Sequence, residues 1–141
     1  MKKIHPDSIR YTRKAPTVDE YQQLYTTTGW PEMPDERVKT ALLNSYCVLS
    51  AYCDDKMIGM VRVVGDNAMY HYIQDMVVSP DFQRLGIGRE MMNLVLDFLK
   101  EHIDNNAFVG LMAAKHAQGF YRSFGFVERS DGEPGMYLKR K

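Results

Sequence analysis

The chain predicts an α/β protein built on a mixed sheet, and three observations carry that prediction. Three β-rich runs, Tyr46 to Cys53, Met57 to Val64 and Met69 to Ser79, follow one another with only short polar turns between them. Directly after them Met91, Met92, Val95, Phe98 and Leu99 recur at helical spacing. Two helix starts precede the runs, and a short apolar run follows the long helix, so strands and helices alternate as β-α-α-β-β-β-α-β-α-β-β.

Each element has a local reason. Ile9 to Lys14 alternates apolar and polar side chains as a first strand does. Thr17-Val18-Asp19-Glu20 is a capping box, and the helix it opens runs through Tyr21, Leu24 and Tyr25 toward Gly29 until Trp30-Pro31 ends it. Asp35 is expected to cap a second short helix carrying Val38, Ala41 and Leu42 on one face. Asp54-Asp55-Lys56 and Gly65-Asp66-Asn67 read as hairpin turns. The long helix keeps Arg89, Glu90, Asn93, Asp97 and Lys100 on its polar face, so its other face is expected to pack on a sheet. Phe108 to Ala113 reads as a short buried strand, Ala117 to Phe124 as a short helix, and Phe126 to Arg129 with Met136 to Lys139 as a final strand pair about the turn Asp131-Gly132-Glu133-Pro134.

A length of 141 residues suits one domain, residues 1–141, with a core of useful size. Basic and acidic residues balance at 18 each, and Lys139-Arg140-Lys141 is the only basic run, so no nucleic-acid partner is expected. No apolar stretch approaches the roughly 20 residues of a membrane span, and Met1 to Pro6 lacks a signal-peptide core, which together point to the cytoplasm and no membrane partner. Cys47 and Cys53 fall on one strand about 20 Å apart at strand rise and cannot pair with each other. His5, His71, His102 and His116 are scattered without ligand spacing, so no metal is expected. Zero formal charge with many aromatics and methionines lowers the barrier to self-association and motivates a homodimer.

The most informative segment is Val77 to Met92. An apolar strand ends at Ser79-Pro80, a polar turn follows, and Gly86 and Gly88 stand where the long helix begins. The first amides of a helix lack intrahelical acceptors and the dipole adds partial positive charge there, so a glycine loop at that point can wrap a phosphate. A dinucleotide fingerprint would need a small residue where Met91 stands, and the Gly-Lys-Ser/Thr of a P-loop is absent.

What remains is Gln83-x-x-Gly86-x-Gly88 with Arg84 beside it, and this resembles the pyrophosphate-binding motif of the GNAT superfamily of acyl-CoA-dependent N-acetyltransferases. Phe120-Tyr121-Arg122-Ser123-Phe124-Gly125-Phe126 resembles that family's second signature, F-Y-x-x-x-G-F. The resemblance implies a GNAT-like mixed central sheet flanked by helices and acetyl-CoA as co-substrate. It implies that Gln83, Arg84, Leu85, Gly86, Ile87, Gly88 and Arg89 hold the pyrophosphate, largely through backbone amides, with Gln83 ordering the loop. It further implies that pantetheine lies along the backbone of Met76, Val77 and Val78, where two strands splay apart, and that an amide there serves as oxyanion donor.

The resemblance also assigns Tyr121 as general acid. Chemistry agrees, since a thiol has a pKa of about 8.5 while a phenol near about 10 stays protonated at neutral pH and can protonate a departing thiolate. The competing reading is ordinary core, because Ala117, Phe120, Tyr121 and Phe124 form an i, i+3, i+4, i+7 stripe. The general base has no such candidate. The family's base positions correspond to Tyr72 and Gln74; Asp75 and His71 are chemically better, but strict alternation puts them on the opposite face unless a bulge re-aims the strand. His116 is a third candidate, and water or a free amine would also serve. The connection Trp30 to Glu36 joins aromatic and acidic residues that suit a cationic amine or, more simply, the start of a helix.

The expected activity is therefore acetyl transfer from acetyl-CoA to a primary amine, with a small molecule favoured as acceptor. Acetylation of a protein lysine or N-terminus, and a non-catalytic acyl-CoA-binding regulatory domain, are the competing readings.

Overall fold

The helix α1, Val18–Tyr25, starts as its capping box requires. The Glu20 N–H donates to the Thr17 hydroxyl at 3.1 Å, and the Thr17 N–H donates back to the Glu20 carboxylate at 2.9 Å. A 3₁₀ turn continues the helix to Thr28, and Gly29 closes it in the left-handed region at φ 84°. The second helix, α2, Asp35–Asn44, corrects the sequence expectation at its start. Pro34 is the N-cap and Asp35 the first helical residue, so Asp35 acts through its charge near the positive end of the helix and caps nothing.

The computed structural model describes residues 3–140, which fall into two compact units divided between Val109 and Gly110. In the first unit the strands are β1 Ile9–Thr12, β2 Cys47–Cys53, β3 Lys56–Gly65 and β4 Tyr70–Val78, with β5 Phe108–Gly110 at the junction of the units. Their spatial order follows the chain, β1-β2-β3-β4-β5, and the first four pair antiparallel with Ile9 opposite Cys53, Cys47 opposite Val63 and Val63 opposite Ile73. The helix α3, Ile87–His102, carries the chain from β4 to β5 as a crossover, which makes the sheet mixed.

Both faces of the sheet are covered. On one, Tyr21 and Leu24 of α1 and Val38 and Leu42 of α2 join Val48, Met57, Met60 and Val77 in a single core cluster. On the other, Met91, Met92, Val95 and Leu99 of α3 are buried, and the chain approaches closely enough at Gly59 that a Cβ there would stand 3.1 Å from the Met91 methyl. A side chain at Gly59 would crowd Met91 and Ala51.

β4 departs from regular pairing where it matters most. Met60 faces Val77 and Arg62 faces Gln74, so β4 holds one residue more than β3 across the interval, at Asp75-Met76. Asp75 takes φ 56°, the signature of a β-bulge. The bulge turns the Asp75 side chain to the face of α1 and α2, correcting the reading by strict alternation; His71 stays on the α3 face, fully buried against the Tyr46 ring.

The β5 segment is shorter and more exposed than the sequence suggested. It pairs over three residues and leaves Phe108 39% exposed, packed only laterally against Tyr70 and Tyr72. In the second unit α4 is five residues, Gln118–Arg122, and stops short of Phe124. The turn expected at Asp131 to Pro134 forms, with the Glu133 N–H donating to the Ser130 carbonyl at 2.9 Å, but its flanks Phe126 to Arg129 and Met136 to Lys139 form no strands. Val127, Met136, Tyr137 and Leu138 are all exposed, so the pair lacks the buried face that holds strands in register.

Candidate active site

The residues from Met76 to Arg89 form one continuous strand, loop and helix start in the first unit. Val77 is buried in the core beneath α1, Met76 and Val78 are half-buried, and the Ser79 N–H donates to the Ile58 carbonyl at 2.7 Å, anchoring the end of β4 to β3. A three-residue β5 that begins with the Phe108 N–H on the Met69 carbonyl ends well short of Asp75, so the far edge of β4 from Asp75 onward runs past its neighbour. That edge offers backbone groups to an extended ligand in the manner of an added strand.

The loop is held open from within. Gln83 Nε2 donates to the Val78 carbonyl at 3.1 Å, and Arg84 and Gly86 both take left-handed backbone at φ 65° and 79°. Gly86 is the N-cap of α3, and the first helical bond runs from the Glu90 N–H to the Gly86 carbonyl at 3.0 Å. The amides of Ile87 and Gly88 lie ahead of that bond, in the turn whose N–H groups helix geometry leaves without intrahelical acceptors. A Cβ built at Gly86 meets no protein atom within 4 Å. The loop thus leaves open space at Gly86, at the positive end of a helix of 16 residues. Ile87 is buried under it, while Gln83, Arg84, Gly86 and Arg89 are exposed and Leu85 and Gly88 half-buried.

Tyr121 lies in the second unit, in α4, half-buried with its ring edge-on to Phe120 and Phe126. Burial pushes its phenol above the ordinary value, which keeps the proton on the oxygen at neutral pH. His116 precedes α4 at φ 70° and is exposed.

Around Asp75 the structure assembles groups that the sequence did not join. The Tyr21 hydroxyl donates to Asp75 Oδ2 at 2.6 Å and Arg62 Nε donates to the same oxygen at 2.7 Å. Arg62 also reaches the Ser45 hydroxyl at 3.1 Å and the Ala41 carbonyl at 3.4 Å. Arg62 and Asp75 are only 14% and 12% exposed, so the ion pair is largely withdrawn from water. Burial, then the bond to Asp75, raises the Tyr21 phenol far above its ordinary value. From Tyr21 an aromatic series runs outward, with Tyr25 stacked on it at 5.3 Å and Trp30 tilted against Tyr25 at 5.0 Å. Gln22 bonds the Met33 carbonyl and Asp35, fixing the connection between the helices. A second buried contact, Tyr52 with Glu20, raises the Tyr52 phenol to about 12 through burial and that hydrogen bond.

The Acetyltransferase (GNAT) domain model matches residues 16–134. The uncharacterized N-acetyltransferase ycf52 of Pyropia yezoensis is 32% identical over 122 residues, covering 84% of this chain and 69% of that protein. Histone acetyltransferase TAP1 of Glycine max is 32% identical over 134 residues, covering 85% of this chain and 57% of that protein. The chain thus spans between about half and about two thirds of these relatives' lengths. Among solved structures, the probable acetyltransferase SA2161 of meticillin-resistant Staphylococcus aureus aligns with a TM-score of 0.85 at 28% identity, covering 94% of this chain and 99% of that one. The fold is thus shared with a probable acetyltransferase over nearly the whole of both chains. The chain belongs to the GNAT family of acetyltransferases.

Proposed function

We propose that this protein transfers an acetyl group from acetyl-CoA to the primary amine of a small molecule. The observation that carries the reading is the open space at Gly86 where α3 begins, with left-handed backbone and the Gln83 bond to Val78 shaping the loop. The first amides of α3 beside that space suit a pyrophosphate, and the edge of β4 at Met76, Val77 and Val78, beyond the short β5, suits the amide-bearing arm behind it. Gln83, Arg84, Leu85, Gly86, Ile87, Gly88 and Arg89 would hold the phosphates. Bound there, acetyl-CoA supplies an activated acetyl group and a thiolate leaving group.

The chain's own part is to orient and to move protons. Tyr121 keeps its proton on Oη because burial disfavours the phenolate, and it gives that proton to sulfur as the carbon–sulfur bond breaks. The acceptor nitrogen, having bonded the acetyl carbon, releases a proton to water, from which Tyr121 is reprotonated. An amide of the β4 edge donates to the developing oxyanion. On the acceptor side Tyr25 and Trp30 with the acidic residues Glu32, Asp35 and Glu36 offer an aromatic, electronegative surface for an ammonium group. A single domain fits the run of one family model through residues 16–134.

A second reading, acetylation of a protein amine, is favoured by the similarity to a protein called a histone acetyltransferase. Thiol release from acetyl-CoA, measured against a panel of small primary amines and against lysine-bearing peptides, separates the two. Binding of acetyl-CoA without release by any amine or peptide would reject both and leave a regulatory acyl-CoA-binding domain. We also propose a homodimer, supported by zero formal charge and by exposed Met69, Tyr70 and Phe108 on one region of the sheet edge. A monomer mass by light scattering at several concentrations would reject it.

A further inference from the structure

We propose that Asp75, clamped by Arg62 and Tyr21, is a positioning residue that sets the bulge of β4 and thereby the direction of the Met76, Val77 and Val78 backbone amides. The inference deepens the proposed function and rests on that reading for its consequence, since those amides are the ones assigned to the acyl carrier.

The physical case starts with the backbone. A residue other than glycine at φ 56° inside a strand is held there only when its surroundings over-determine it. The surroundings of Asp75 do so from three directions. Arg62 stands on β3 directly beside the bulge and grips the carboxylate at 2.7 Å, and Arg62 is itself fixed by the Ser45 hydroxyl and the Ala41 carbonyl at the end of α2. Tyr21, buried in the middle of α1, grips the same oxygen at 2.6 Å. One carboxylate therefore joins α1, α2, β3 and β4.

The extra residue of the bulge changes which backbone groups of β4 point along the sheet and which point to its edge. Without a side-chain anchor the chain has a cheaper alternative, regular pairing, in which Asp75 returns to the ordinary extended region and the residues after it shift face by one place. The clamp makes that slip costly, because it would withdraw the carboxylate from Arg62 and Tyr21 and leave a largely buried guanidinium unpaired. A hydrophobic side chain at this position would fill space equally well but would oppose no slip. The ion pair thus has a role in register, beyond its place in the core.

The test compares the full chain with Asp75→Ala, Asp75→Asn and Val38→Ala. Asparagine keeps an oxygen acceptor for Tyr21 and tolerates left-handed backbone, whereas alanine does neither, and Val38 is a buried residue of α2 that takes no part in the bonds to the carboxylate. Two readouts are needed: amide chemical shifts of Met76 to Val78 in the unliganded proteins, and acetyl-CoA affinity by calorimetry below each variant's melting temperature. The expected result is a large shift change at those amides and at least a tenfold loss of affinity for Asp75→Ala, a smaller loss of both kinds for Asp75→Asn, and neither for Val38→Ala. Unchanged amide shifts in a folded Asp75→Ala protein would overturn the inference, as would an equal loss of affinity in Val38→Ala. Should the parent protein bind no acetyl-CoA, the proposed function fails, and the amide shifts alone still decide whether Asp75 sets the bulge.

Discussion

Gln83 Nε2 donates to the carbonyl of Val78 at 3.1 Å, and this bond ties the last residue of β4 to the loop that opens α3. It spans five residues and closes the polar turn on itself, so the side chain shapes the loop and leaves its amides for a ligand. A net hydrogen-bond contribution of about 0.5–1.5 kcal/mol corresponds to roughly a twofold to tenfold change in an equilibrium constant. Gln83→Ala is expected to lower the melting temperature by about 2–8 °C through loss of that bond and to weaken acetyl-CoA binding by up to about tenfold as the loop loosens, as thermal melting and calorimetry would show. Glutamate at this position places charge opposite a carbonyl and beside the phosphates, so Gln83→Glu should lose more.

Gly86 combines two demands that usually occur apart. Its φ of 79° costs a residue with a Cβ about 1–2 kcal/mol, and its open side faces the space assigned to phosphate. Gly86→Ala should therefore lower unfolding free energy by that amount in urea titration, and Gly86→Val should in addition lower acetyl-CoA affinity far more than Arg89→Ala does. An unchanged affinity for a folded Gly86→Val protein would remove this loop from the cofactor site.

Much of this was legible in the sequence because it depends on local chemistry. Thr17 and Glu20 announce α1 through a reciprocal bond made within four residues, and Gly86 announces a left-handed helix start. The Asp75 site was illegible for the opposite reason. A bulge is a mismatch between two strands, and nothing in the order Gln74-Asp75-Met76 says that β3 will be one residue short beside it. Arg62 and Tyr21, 13 and 54 residues away from Asp75, meet it only once the sheet and α1 have packed. The final strand pair failed in the other direction, since apolar side chains at Met136 to Leu138 do not by themselves say that a sheet face will bury them, and all three are exposed.

The Arg62–Asp75 pair should behave as a buried charge pair in stability measurements. Arg62→Met leaves the carboxylate with Tyr21 alone in a site 12% exposed, and a loss of about 3–5 kcal/mol is expected. Adding Asp75→Asn removes the orphaned charge and keeps left-handed backbone accessible, so the double variant should be more stable than Arg62→Met alone. Denaturant titration of the four proteins in a double-mutant cycle checks the sign.

Tyr21 links that pair to pH. Its phenol is raised in the folded protein by burial and by Asp75, while the unfolded chain ionises near about pH 10. The raised folded value means that its stabilising contribution is complete below about pH 10 and declines as pH rises toward the folded value, because only the unfolded state then loses the proton. Tyr21→Phe should be less stable than the parent at pH 8, and the difference should narrow above about pH 10. Urea titrations at the two pH values, compared as differences so that lysine ionisation cancels, would show a constant gap if the phenol were not buried against Asp75.

For Tyr121 the decisive quantity is what one oxygen does. Its phenol is raised by burial and keeps its proton, and the ring packs edge-on against Phe120 and Phe126, so both the catalytic and the packing roles are chemically available to it. Tyr121→Phe keeps the ring and removes the proton donor. If the phenol protonates the leaving thiolate, turnover at saturating amine should fall by about 10²- to 10⁴-fold while acetyl-CoA affinity stays nearly constant, because the interaction is made only as sulfur takes on charge. A leaving group of lower pKa needs less help, so an acetyl thioester of a more acidic thiol should suffer a smaller drop. A packing role gives a different pattern, with full turnover per folded molecule and a stability change of about 1 kcal/mol or less. Rates with the two thioesters, measured beside thermal melts of both proteins, distinguish the cases, and a Phe variant as active as the parent would take Tyr121 out of the mechanism.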